Sequence, residues 1–164
     1  MTMILWAASS VFCAGLAWAA WRDFAAYRIS NSGLTVFLAL YVLFAPFLGA
    51  GWAELAVDAL AAFGLFAAGM LIFAAGWIGG GDVKFATIAA LWLGAEQIPA
   101  FLVLTSWGGA LLALTFLVLR YARPASPAGE RTTLMRSHVP YGIAISAGAL
   151  LAATQTAWFA AGVA

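Results

Sequence analysis

Charge is scarce in this chain: Asp, Glu, Lys and Arg together make up 8% of 164 residues, against 66% apolar ones. A soluble globular domain carries roughly 25% charged residues, so a water-facing surface cannot be built from this composition, and the chain reads as an integral membrane protein. Cysteine and histidine are nearly absent, with one of each, Cys13 and His138. One cysteine excludes an internal disulfide framework and a cysteine zinc site; Cys13, inside an apolar run, is expected to be a core thiol. One histidine leaves zinc short of ligands and gives a serine or cysteine nucleophile little prospect of a base. Ser137 beside it, in a polar loop, is no evidence of a triad. No metal and no cofactor are expected, and no nucleic-acid partner.

Long apolar runs are what the chain does have. A spanning helix takes roughly 20 apolar residues. Runs at Met3 to Trp21, Gly33 to Leu48, Leu55 to Ile78, Phe85 to Leu93, Ile98 to Leu119 and Val139 to Phe159 predict an all-α membrane protein of about six helices in a single domain over 1–164. The fourth run is short and is expected to begin within the glycines that precede it. Small residues four apart (Gly15 and Ala19, Gly64 and Ala68, Gly109 and Ala113, Gly148 and Ala152) would let helices approach closely. Arg22, Arg28, Lys84, Arg120, Arg123, Arg131 and Arg136 all fall in alternate connections. The positive-inside rule makes those connections cytoplasmic and puts both termini outside. With basic residues after the first run and none before it, that run is expected to stay as a span rather than act as a secretory signal. The polar stretch from Arg123 to His138 is expected to be an exposed cytoplasmic connection, with His138 solvated or locally hydrogen-bonded. Pro140 is placed to open the last helix.

Against this background "GWIGGGDVKF", residues 76 to 85, is anomalous, because three glycines deliver a carboxylate and a lysine between two apolar segments. It is not a phosphate loop, lacking both the Gly-Lys-Ser/Thr ending and a preceding strand. Irregular backbone at membrane depth is tolerated only beside protein or a water-filled cavity, and Gly79, Gly80 and Gly81 are expected to form such a segment next to Asp82. Asp23 follows the first run as Asp82 follows the third, so the predicted topology puts both at the cytoplasmic end. Solvated helix-end charges and a functional pair are both open readings of them. As a pair, two adjacent carboxylates resist joint ionisation, and one can hold a proton while the other activates water. Glu54 and Asp58, four apart near the opposite surface, are a possible second polar site but are expected to be solvated.

The segment "DFAAYRISN", Asp23 to Asn31, resembles the D-x-x-x-x-R-I-P-N segment of type IV prepilin leader peptidases, and "GGGD", Gly79 to Asp82, resembles their G-x-G-D motif. "VPYGIAI", Val139 to Ile145, resembles a stretch of the short members that serve tight-adherence pili. Together and in this order the motifs are specific. The resemblance implies an intramembrane aspartic endopeptidase of the bacterial inner membrane, with Asp23 and Asp82 as the catalytic pair. It would cut the basic leader from a prepilin or pseudopilin after a glycine, at the cytoplasmic face. Gly79, Gly80, Gly81, Lys84, Arg28, Asn31, Pro140, Tyr141 and Gly142 would then shape the loops or hold substrate, and membrane lipid would be the other partner. Ser30 stands where the family usually carries proline. The zinc-binding methyltransferase domain of bifunctional relatives has no counterpart in the sequence, so cleavage without N-methylation is expected. A preflagellin-type peptidase is a close variant. A small proton- or cation-coupled transporter using the same two aspartates is the alternative from another class, although the chain lacks the internal repeats such transporters often have. A structural membrane subunit is a third reading.

Overall fold

The computed structural model describes residues 2–122 and 140–163. The expectations for the Arg123 to His138 connection and for Val139 lie outside them. The described residues form seven α-helices and no strand: α1 (Thr2–Ala26), α2 (Asn31–Phe44), α3 (Trp52–Ala74), α4 (Gly80–Leu93), α5 (Ile98–Ala122), α6 (Tyr141–Ala153) and α7 (Ala157–Val163), with short 3-10 turns at Ala45–Phe47 and Ala95–Gln97.

The all-α membrane class holds, but the six runs are not six equal helices. Three helices are long and apolar enough to cross a bilayer, and α6 with α7 makes a fourth candidate if that bent pair counts as one span. α2 and α4 have 14 residues each; at 1.5 Å per residue they reach only about 21 Å, short of a hydrocarbon core of about 30 Å.

Local chemistry sets these ends. Pro46 closes α2 by entering the 3-10 turn after it. The third run was expected to extend to Ile78, but α3 stops at Ala74. Gly76, at φ +79°, lets its own N–H and that of Trp77 bond back to Phe73 and Ile72, a Schellman ending that a left-handed glycine makes possible. The sixth run was expected to be continuous. It breaks at Thr154, Gln155 and Thr156, and α7 turns 87° away from α6. There the Thr154 and Thr156 hydroxyls bond to the carbonyls of Leu151 and Ala153.

Glu54 and Asp58 are not simply solvated. The Glu54 carboxylate accepts from the Gly51 N–H at 2.9 Å, across the start of α3. Asp58 accepts from Ala95 N–H at 2.7 Å and so ties α3 to the turn before α5.

The bundle is organised around α6, which packs against α5, α1 and α4. Its sequence "YGIAISAGALLAA" explains this position, since Gly142, Ala144, Ser146, Gly148, Ala149, Ala152 and Ala153 are all buried and present little bulk to three neighbours. At Gly148 an added Cβ would lie 2.8 Å from the Thr105 backbone nitrogen of α5, and at Gly109 2.9 Å from the Tyr141 ring. Gly15 meets the Phe37 ring of α2, so three of the four small-residue positions named above are true close approaches. Gly64 is not; it has open space around it.

On α1 the buried positions Phe12, Leu16, Ala19 and Asp23 recur every three or four residues, one helical stripe. Its apolar part joins an aromatic cluster in which Phe12 lies 5.6 Å from both Trp92 and Trp158, centroid to centroid, and Trp92 5.6 Å from Phe37. The stripe ends in a carboxylate.

Candidate active site

Asp23 sits in the last turn of α1 and is 6% exposed, a depth at which ionisable groups generally serve a function. The helix ends just beyond it at Tyr27, whose φ of +50° reverses the chain. That conformation costs a non-glycine residue about 1 kcal/mol. The chain then turns through Arg28, which is exposed, and enters α2. Ser30 is the N-cap of α2, accepting from the Gly33 N–H at 3.3 Å. Its φ of −73° is one that proline also adopts, so serine in place of proline keeps the backbone path and adds a cap.

Asp82 is held differently. The glycines were expected to be an unwound segment, yet only Gly79 is non-helical: it is the N-cap of α4, and Gly80 and Gly81 form the first turn. Asp82 is the third residue of the helix, close enough to the Gly79 amide for that N–H to favour its charged form. A Cβ on Gly79 would lie 2.8 Å from Asp82 Oδ2, so absence of a side chain there, rather than looseness, is what the motif provides. Asp82 precedes the apolar part of α4 and lies outside the candidate spans. Burial pushes its carboxyl up, the Asp23 charge adds in the same direction and the Gly79 amide opposes, leaving it at about 6. Asp23 in the last turn of α1 and Asp82 in the first turn of α4 therefore lie within reach of each other's charge.

A third segment completes the site. Pro140, its side chain fully buried, caps α6 one position before the helix rather than opening it from within. Tyr141 lies over Gly109. The Gly142 N–H donates to Asp23 Oδ2 at 2.6 Å in a buried contact bridging 119 positions of sequence. A Cβ at Gly142 would come within 2.8 Å of Asp23 Cβ. At the rim, Lys84 Nζ donates to Asn31 Oδ1 at 3.0 Å, joining the segments that carry the two aspartates. Ser146 was not singled out from the sequence. Its hydroxyl reaches Leu16 O and Gly142 O at 3.0 and 2.7 Å; a serine inside an apolar run was the only signal available.

A Cβ at Gly81 meets only Ile29, at 3.8 Å, while one at Gly109 meets the Tyr141 ring at 2.9 Å. Gly109→Val should therefore lower thermal stability more than Gly81→Val. Equal unfolding midpoints for the two would contradict this packing.

A model of the type IV leader peptidase family matches residues 10–114, a stretch that includes both aspartates but not Gly142. Comparison with curated proteins and with solved structures gives no match. Since the matched stretch covers well over half of the sequence and contains the whole of α2, α3 and α4, the chain belongs to the type IV leader peptidase family and is a leader-peptidase-type protease.

Proposed function

We propose that this chain is an intramembrane aspartic endopeptidase that removes the basic leader of a type IV prepilin or pseudopilin at the cytoplasmic face of the bacterial inner membrane. The observation that carries the reading is that Asp23, held by the Gly142 amide, and Asp82 come from separate helices, with Asp82 feeling the Asp23 charge. Repulsion between the carboxylates in a partly desolvated site favours one shared proton, and their titration belongs to the pair.

The unprotonated carboxylate takes a proton from a water as its oxygen attacks the scissile carbonyl carbon. The protonated one donates to the carbonyl oxygen, giving a neutral gem-diol. Collapse returns the hydroxyl proton to one carboxylate while the departing nitrogen takes the other proton, so the C–N bond breaks and the pair regains its starting state. Neither step requires a covalent intermediate.

The cytoplasmic placement is supported by the distribution of Arg and Lys, and the leader's own basic residues would remain on that side with it. Incubating the purified protein in detergent with a prepilin should yield a product shortened by the leader, read by intact mass. A prepilin left at full length under conditions where the enzyme remains folded would refute the assignment.

A further inference from the structure

The contacts that hold Asp23 form a chain. Asp23 and Leu16 lie seven residues apart on α1, which is two turns and hence one face. Gly142 and Ser146 lie four apart on α6, again one face. Gly142 pairs with Asp23, and Ser146 pairs with Leu16. This crossed order means α6 runs antiparallel to α1 and is pinned to it at two points.

A serine hydroxyl has one proton and can share it between two carbonyls. The bond to Gly142 O four residues back is a common intrahelical one. The bond to Leu16 O joins two helices, and on the α6 side most of the buried residues are small. With Ile145 the one large side chain among the buried residues of α6 from Tyr141 to Ala153, a directional bond sets the position of α6 along α1 more sharply than packing of small residues does.

The same register decides which oxygen of Asp23 accepts from the Gly142 amide. With the Gly142 amide on Oδ2, one acceptor site of that oxygen is taken and the orientation of the carboxylate is set.

We propose that Ser146 is a positioning residue for Asp23: by tying α6 to Leu16 it keeps the Gly142 amide on Oδ2 and so holds the carboxylate in the orientation used for proton transfer. This rests on the peptidase reading above. Ser146 touches neither the carboxylate nor the substrate and acts through Gly142.

The test uses variants of matched shape. Ser146→Thr and Ser146→Val have closely similar outlines and differ in the hydroxyl; Ser146→Ala adds no bulk. In the full-length protein the Val and Ala variants should cleave prepilin with kcat lowered at least about tenfold and KM nearly unchanged, while Ser146→Thr cleaves at least about tenfold faster than Ser146→Val. A second readout does not depend on cleavage. In glycine-labelled protein, the Gly142 amide proton, assigned by its loss in Gly142→Ala, should resonate downfield because it donates to a carboxylate. It should move upfield in Ser146→Val and Ser146→Ala. Wild-type kcat in Ser146→Ala, equal rates for the Thr and Val variants, or an unmoved amide resonance would each overturn the proposal. A wild-type chain that does not cleave prepilin would overturn the peptidase reading and with it any catalytic role for Ser146, while the resonance would still report the tether itself.

Discussion

Asp23→Asn and Asp82→Asn should each abolish prepilin cleavage while leaving a folded protein that still inserts in the membrane and still co-purifies with uncleaved prepilin. Asparagine keeps the size of aspartate and, at position 23, an oxygen that can accept from the Gly142 N–H. What it loses is the ability to take or give a proton, and with it the general acid–base step. Glutamate tests position instead. One methylene moves the carboxylate by about 1 Å, a displacement that costs on the order of 100-fold where geometry governs the rate. Asp58→Asn is the control for loss of a charge: its oxygen can still accept from Ala95 N–H, and cleavage should stay near wild type. Normal processing by either Asp23→Asn or Asp82→Asn would return these residues to the status of helix-end charges.

Gly142→Ala should be nearly as damaging, although it adds one methyl group and changes no charge. The new Cβ would lie 2.8 Å from Asp23 Cβ and 2.9 Å from its Oδ2. Those atoms cannot move aside as the tip of a long side chain would, because Asp23 is in a helix and its carboxylate is held by the Gly142 amide itself. Either α6 retreats from α1 or the carboxylate rotates away, and both lose the 2.6 Å bond. A displacement approaching 1 Å predicts a fall in kcat of about 100-fold. Gly64→Ala is the matched control. Its Cβ meets nothing within 4 Å, it lies inside α3, and alanine is the better helix former by about 1 kcal/mol, so activity should persist and stability should not fall. Comparable kcat for Gly142→Ala and wild type would mean that α6 does not position Asp23 during catalysis.

Sequence alone was enough for the membrane class, because a chain so apolar and so poor in charge has one solvent that suits it. It was also enough to single out Asp23 and Asp82, since an ionisable residue beside long apolar runs is rare and costly. The motif around each is short and local, and local chemistry governed much of what followed: Ser30 capping α2, Gly76 ending α3, Gly79 capping α4.

Where the expectations departed from the structure, some deciding contacts were local and others distant in the chain. The glycines before Asp82 looked like loose backbone because composition cannot distinguish a loop from a helix start, and α4 begins at Gly80. Crowding at a glycine depends on what the rest of the fold brings there, Ile29 at Gly81 and the Tyr141 ring at Gly109. Asp58 looked like a solvated charge until Ala95 supplied a donor.

The pairing of Gly142 with Asp23 and of Ser146 with Leu16 lies furthest from any sequence signal. No spacing rule connects positions more than a hundred residues apart, and a run of small residues states only that helices can come close. Which atoms then meet was decided by the register of α6 on α1, and that register exists only once the bundle is assembled.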